Sequence, residues 1–375
     1  MRKHKVGILN FQYSTHNYGA VLQAAALEHV IKDDLNISAE HIDYKPLPLN
    51  ETSQLRQLVV KFLRYLGVRN PKKRPDIENE AVFERFRKDF INRSPQSITE
   101  KNRFIERCSE YSHVVVGSDQ VWRTNYTKQN ADVFFLPFKG PQKVSYAASF
   151  GVDLWEESKY FQNADFIKWI NDFDNVSVRE SAGVDICKKH LSFKGAVHVL
   201  DPTLLAGRAF FESILDYYMM LSPEGESQSS KVAYYKLDVD RSFSDAASHL
   251  ASKLNTDAEN FYYKYNDHGY EYFSVPEWLN KIKISKVILT DSYHCICLAI
   301  LFNKEFVCVS NASRGVSRLE SLLGELGLES RLVSSPSQIS EALITPIDYT
   351  SVERKLDELR VDSKTFLKVA LNAQS

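Results

Sequence analysis

The feature that most constrains the fold is an alternation of hydrophobic period that runs along most of the chain and restarts once. Short apolar runs of strand type, "KVGILNF" (5–11), "HVVVGS" (113–118), "KVSYAASF" (143–150), "NVSVRE" (175–180) and "AVHVLDP" (196–202), alternate with helix-period segments at 20–32, 78–90 and 159–172. Beyond residue 230 the alternation resumes with "KVAYYKL", "NFYYKYN", "KVILTD" and "EFVCVS", interleaved with helical patterns at 240–254, 276–283 and 316–326. Residues 351–373 read as a last helix, with Val352, Leu356, Leu359 and Leu367 among its apolar positions. Strands that alternate with helices in this way form parallel sheets covered on both faces.

At 375 residues the chain exceeds one ordinary core. The two series are separated by a less regular stretch at 204–230, which holds the polar segment "MMLSPEGESQSSK" (219–231). The pattern therefore predicts an α/β protein with two Rossmann-like domains facing a cleft. Residues 1–205 form the first, with a basic helical insert at about 54–107; residues 206–375 form the second and end in the C-terminal helix. Sheets of this kind bind ligands outside the carboxyl ends of their strands, so the polar clusters that follow strands are the candidate sites.

Composition removes several function classes. Lys and Arg number 47 against 48 Asp and Glu, a formal net charge of −1, so no global attraction to nucleic acid is expected. The start "MRKHKVGILNF" reaches Gln12 and His16 too soon for a signal-peptide core, and no run approaches a membrane span. Five cysteines, at 108, 187, 295, 297 and 308, show no framework spacing and fit a reducing, cytoplasmic setting. The phosphate-binding patterns GxGxxG and GxxxxGK[ST] are absent, so nicotinamide and P-loop chemistry lack their signatures.

Four polar clusters follow strands. In "STHNYGAVLQAAAL", Asn17, Tyr18 and Gly19 open an Ala-rich helix, whose free N–H groups favour an anion or a sugar hydroxyl; a plain helix cap is the other reading. In "VVVGSDQVW", Asp119 and Gln120 place an acceptor and an amide at a strand mouth, or Asp119 caps the next helix. "SVRESAG" brings Arg179, suited to bidentate anion binding or to a surface pair with Glu180, and "VLDPTLL" sets Asp201 at a corner or at the cleft. The late strand in "KVILTDSYHCICLAILF" ends in Asp291, Ser292 and His294, where the histidine either caps a helix or is held out for chemistry. Downstream, Arg314 and Arg318 at i and i+4 share a face once a helix has begun, and with His294 they would receive a compact, highly charged anion. His294 with Cys295 and Cys297 lacks the separated paired ligands of a zinc site, so no metal is expected and the cysteines read as small hydrophobes.

Taken in order, "HNYGAVLQ", "VVGSDQVW", "YAASFG", "SVRESAGVDI", "VLDPTLL", "SVPEWLNKI", "ILTDSYH", "LFNKEFV" and "SRGVSRLESLLGELGL" resemble the polysaccharide pyruvyl transferase family from about residue 5 to about residue 331. The resemblance implies a GT-B-like pair of domains and transfer of pyruvate from phosphoenolpyruvate to a sugar of a polysaccharide or lipid-linked precursor as a cyclic ketal, in capsule or exopolysaccharide assembly. It implies donor contacts at Arg179, His294 and Arg314, with His294 as the acid. Arg318 and Ser292 join that donor set. Asp119 is the candidate base, and Asn17, Tyr18, Gln120 and Asp201 are placed on the acceptor side. Phosphoenolpyruvate is then a co-substrate and no further cofactor is expected. Two positions depart from the family pattern: Cys295 stands where many members have Gly, and Ser292 where some have Arg, which shifts phosphate binding onto Arg314 and Arg318.

The segment "QLRQLVVKFLRYLGVRNPKKRP" (54–75) reads as an amphipathic helix with Leu55, Leu58, Val59, Phe62, Leu63 and Leu66 on one face and Arg56, Lys61 and Arg64 elsewhere. It packs on its own domain or lies on an anionic membrane surface, which would make the protein peripheral at the inner face of the cell membrane. Two other functions fit the pattern. One is a GT-B glycosyltransferase using a nucleotide sugar, with Asp291 or Glu277 near the nucleotide; the other is a non-catalytic saccharide-binding protein.

Overall fold

The computed structural model describes residues 4–46, 77, 79–221, 231–237, 240–266, 269–311, 315–340 and 343–372. Six strands, β1 (Lys5–Leu9), β2 (Ser38–His41), β3 (His113–Val116), β4 (Gln142–Ala148), β5 (Asn175–Val178) and β6 (Val197–His198), form one sheet in the order β2-β1-β3-β4-β5-β6. Every neighbouring pair in it is parallel. Helices α1 (Tyr18–His29), α2 (Ala81–Phe90), α3 (Lys101–Cys108), α4 (Asn163–Ile170) and α5 (Ser181–His190) belong to this half. The continuous apolar runs are explained by burial: Val114, Val115 and Val116 are all fully buried, as expected for a sheet covered on both faces.

The second half begins with α6 (Pro202–Leu221) and contains β7 (Val232–Tyr235), α7 (Arg241–Lys253), β8 (Ala258–Asn260) and a hairpin of β9 (Tyr263–Asn266) with β10 (Gly269–Tyr272). It continues through α8 (Val275–Ile284), β11 (Val287–Thr290), α9 (Tyr293–Leu301), β12 (Glu305–Val309), α10 (Ser317–Leu326), β13 (Leu332–Val333) and α11 (Tyr349–Ala370). Its parallel sheet runs β13-β12-β11-β7-β8.

Several boundaries differ from the sequence expectation for physical reasons. The stretch beginning at 204 is not irregular: α6 runs through it to Leu221, and Gly207 (φ 75°, ψ 177°) breaks the helix near its start, which puts its two apolar stripes out of phase. The 205/206 boundary lies one residue before this break. Strand β2 is hidden in the polar string "SAEH", because Glu40 pairs with Lys5 at 2.8 Å and takes a hydrogen bond from the Tyr111 hydroxyl at 2.6 Å. The amphipathic segment 54–75 and most of the polar segment 219–231 lie outside the described residues.

The C-terminal helix, expected with the second half, joins both. Val352 and Leu356 pack with the core of the second half, whereas Leu367, Ala370 and Leu371 pack with Val6, Ile8 and Val115 of the first sheet. The Ser363 hydroxyl accepts from the Leu200 amide at 3.0 Å along the way. Helix α1 is the other inter-domain element, and it is buried on every side from Tyr18 to Glu28. Ala-rich composition suits that position, since a helix buried all round needs small faces for close approach.

Tyr18 is the anchor of this seam. Its ring stacks on Trp278 with centroids 4.7 Å apart and planes 6° apart, and its hydroxyl donates to the Phe273 carbonyl at 3.0 Å, with the Tyr262 carbonyl at 3.2 Å. This places Tyr18 in the interior rather than on the acceptor side where the sequence put it. Tyr18→Ala is expected to lower the unfolding free energy by about 3–5 kcal/mol and Tyr18→Phe by about 1 kcal/mol, read from urea or guanidinium midpoints. An unchanged midpoint for Tyr18→Ala would contradict the assignment of this ring to the inter-domain core.

Candidate active site

The polar interruption "TDS" after β11 is a corner and a cap. The Ser292 hydroxyl accepts from the Cys295 amide at 3.5 Å as the N-cap of α9, and the Ser292 amide donates to the Thr290 hydroxyl at 3.0 Å. Asp291 accepts from the Leu237 amide at 3.3 Å and from the Asn311 side chain at 3.1 Å, tying together the ends of β7, β11 and β12. His294 is thus the second residue of a buried helix, next to the helix's free N–H groups. Cys295 and Cys297 are fully buried on the same helix, and burial pushes both thiols up, so they pack as hydrophobes.

His294 meets the other domain directly. A Cβ on Gly19 would lie 2.4 Å from its Nδ1, so only glycine at the start of α1 leaves room for the imidazole. Its Nε2 accepts from Arg179 Nη1 at 3.2 Å and stands 3.5 Å from Asp201 Oδ2. The neutral ring accepts from Arg179 at this nitrogen, whereas a proton there faces Asp201. One nitrogen therefore has a partner in either protonation state.

Asp201 and Arg179 form a buried unit beneath the histidine, and both side chains are fully buried. Arg179 Nη1 donates to Asp201 Oδ2 at 3.0 Å and to Ser118 Oγ at 3.3 Å, and Ser118 Oγ donates to Asp201 at 2.8 Å. The Thr203 amide donates to the other carboxylate oxygen at 2.8 Å. Burial alone would raise the Asp201 carboxyl, but His294 and Arg179 outweigh it and hold the group far below the usual carboxylate range. Burial likewise works against the Arg179 charge, and Asp201 and Asp119 reverse that and stabilise it. Among the described residues, the Arg179 Nε and Nη2 groups have no hydrogen-bond partner, and Nη2 is 3.7 Å from Asp119.

Tyr293 was not singled out from sequence, since an aromatic in an apolar helix reads as core. Its ring carries Arg179 at 4.5 Å and Arg318 at 5.8 Å from its centroid. Burial first, and the neighbouring Arg179 second, lower the Arg318 pKa, so two like charges crowd one aromatic ring. Ser118 and Gly19 were likewise legible only as parts of "GSDQ" and "HNYG", because their contacts come from distant segments.

These groups border a cleft of about 710 Å³ between the two domains, at the carboxyl ends of both sheets. Asn17, Asp119, Gln120, Ser292, His294 and Arg318 line it. Asn17 caps α1, its side chain accepting from the Ala20 amide at 3.3 Å, so the N-termini of α1 and α9 both border the cleft. Asp119 has a left-handed φ of 80° and accepts from the Gln120 amide at 2.8 Å. Arg179 and Asp201, expected to touch donor and acceptor, instead lie beneath the cleft, with their contacts made to protein. Glu180 is structural as well: its Oε1 accepts from Ser149 Oγ and from the amides of Phe150 and Gly151. Arg314 is outside the described residues. Among the described residues, no group of three or more His, Cys, Asp or Glu is placed to hold a metal ion, and no helix is long and apolar enough to cross a membrane.

Two parallel sheets with helices on their faces and a cleft between their carboxyl edges define a GT-B-type α/β protein. A Listeria monocytogenes protein assigned as a UDP-N-acetylglucosamine 2-epimerase superposes at a TM-score of 0.50 with 11% identity, covering 96% of this chain and 91% of that one. The Neisseria meningitidis UDP-GlcNAc 2-epimerase, solved with UDP-GlcNAc, gives 0.48 with 9% identity over 98% and 94% of the two chains. At such identities the likeness is one of fold. No curated protein matches the chain at a significant level. The family model described as Polysaccharide pyruvyl transferase matches residues 17–313, and the chain belongs to that family.

The buried charge unit makes a stability prediction. The folded Asp201 pKa lies below its unfolded value, so its contribution is present above the unfolded pKa of about 3.9 and fades as pH falls from there. Asp201→Asn is expected to lower the unfolding free energy by about 3–5 kcal/mol near neutral pH and to flatten the pH dependence below about pH 4. Chemical denaturation from pH 3 to pH 7 checks this, and equal acid limbs in variant and parent would refute it.

Proposed function

We propose that the protein transfers pyruvate from phosphoenolpyruvate to a sugar and closes it as a ketal across two hydroxyls. The observation that carries this reading is the convergence of His294, Arg318 and the N-termini of α1 and α9 on one cleft. A buried arginine, an imidazole and two helix N-termini at one point favour a compact anion with more than one charge. Phosphoenolpyruvate, with its phosphate and carboxylate, is such an anion.

In the proposed reaction His294 donates a proton to the enol methylene, which becomes a methyl group, and C2 becomes an oxocarbenium-like centre. A sugar hydroxyl attacks C2, the C2–O bond to phosphate breaks, and a second hydroxyl closes the ring. Two hydroxyl protons are released; one replaces the proton given by His294, and the other leaves with phosphate. Asp119, at the cleft wall, is the proposed acceptor of the hydroxyl proton. Arg179 acts as a positioning group, because its guanidinium fixes the imidazole from below. Arg318 takes the phosphate, the place that Ser292 leaves open.

The nucleotide-sugar alternative loses its acidic candidates to structural work. Glu277 closes the capping box of α8, accepting from the Ser274 amide at 2.7 Å, and both Asp291 oxygens accept hydrogen bonds from neighbouring strand ends.

The test is incubation with phosphoenolpyruvate and a panel of saccharide acceptors, with phosphate release and acceptor mass both measured. Phosphate release matched by a gain of one pyruvyl ketal is expected. His294→Ala should lower kcat by about 10²–10⁴-fold in protein that still folds, as circular dichroism checks. Near-parental turnover would remove His294 from the mechanism.

A further inference from the structure

The two walls of the cleft differ in chemistry. The second-domain side carries Arg318 and His294 beside Asp291, whereas the first-domain side carries Asp119 and presents Asn125, Tyr126, Thr127 and Asn130 from one short turn after β3. Tyr126 is 45% exposed, while the turn that carries it is held by several hydrogen bonds. The Tyr126 and Thr127 amides both donate to the Arg123 carbonyl, at 2.9 and 3.0 Å, and the Thr127 hydroxyl reaches the same oxygen at 3.1 Å. The Thr124 hydroxyl donates to the Glu156 carbonyl at 2.7 Å. Lys128, immediately after, is held at φ 51° and ψ −125°, a conformation that non-glycine residues rarely adopt.

The ring itself is braced. The Arg123 guanidinium lies 4.5 Å from the Tyr126 centroid and is fixed by Gln120 Oε1 at 3.0 Å and by Glu156 at 3.3 and 3.4 Å. Arg123 thus covers one face of the ring, and its charge is matched by Glu156. The exposed remainder of Tyr126 belongs to the cleft. A rigid aromatic face flanked by amides and hydroxyls meets a sugar well: the ring takes the C–H face of the pyranose, and the polar groups take its hydroxyls.

We propose that the Tyr126 turn is a stacking platform that binds an uncharged sugar ring. The name "acceptor" for that sugar rests on the pyruvyl-transfer reading, while the saccharide site stands on the geometry of the turn. Among the described residues that line the cleft, this side holds Asp119 and no arginine or lysine, so a neutral hexose is favoured over a uronic acid. Arg318 and His294 on the other side remain for the anionic donor.

Saturation-transfer NMR on the full chain tests this with methyl β-D-glucopyranoside, methyl β-D-galactopyranoside and methyl α-D-mannopyranoside. Methyl β-D-glucopyranosiduronic acid serves as the charged control, and each is run with and without phosphoenolpyruvate. At least one neutral glycoside is expected to receive saturation. Tyr126→Ala should weaken its apparent affinity at least about tenfold, and Tyr126→Phe should retain it. Binding that survives in Tyr126→Ala, preference for the uronide, or no binding by any glycoside would overturn the platform. Protection by phosphoenolpyruvate against thermal unfolding, measured on the same proteins, should be equal in parent and Tyr126→Ala; its selective loss in the variant would also overturn the proposal. If the parent shows no such protection but still binds sugar through Tyr126, the platform stands and the donor reading falls.

Discussion

The site depends on one buried carboxylate. Asp201 sits at the end of the first sheet with no exposure, and it makes a buried guanidinium tolerable at the point where the two domains meet. Burying either charge alone is strongly unfavourable, so each holds the other in place. Arg179 in turn presents Nη1 to the His294 ring of the opposite domain. The imidazole is therefore oriented by the first domain although the second domain's chain supplies it.

That arrangement explains why the seam is built so firmly. Helix α1 is buried between the halves, Gly19 leaves space for the imidazole, and Tyr18 is stacked on Trp278. The tail of α11 crosses back to the first sheet. A reaction divided between two domains needs their relative placement held to a fraction of an ångström, since small misplacements are costly to rate. The chemistry of the cleft follows the same division. His294 and Arg318 stand on the second-domain side, while the wall around Tyr126 offers aromatic, amide and hydroxyl groups.

How much of this was legible in the sequence depended on whether a residue's role is local. The parallel α/β pattern was, because sheets buried on both faces leave apolar runs such as "VVV" at 114–116. His294, Asp119 and Arg318 were found at the cleft because strand ends mark it. Strand β2 was missed because tertiary partners satisfy Glu40 and His41 lies buried, which local composition does not reveal. Helix α6 was missed because the Gly207 break shifts its apolar stripe. Arg179 and Asp201 were recognised as special but placed one layer too high. A sequence shows that an ionisable group follows a strand, not whether its partner comes from a residue 22 or 115 positions away. Tyr293 and Tyr126 look alike as letters, and only the fold makes one a buried support for two arginines and the other an exposed wall.

The most direct test of the proposed chemistry is to run the reaction in deuterium oxide with phosphoenolpyruvate and an accepting saccharide, and to examine the product by NMR. Protonation of the enol methylene by a residue that exchanges with solvent predicts one deuterium in the ketal methyl group, with one phosphate released per ketal formed. A product bearing a transferred hexose, or phosphate release with no ketal on the sugar, would contradict the account.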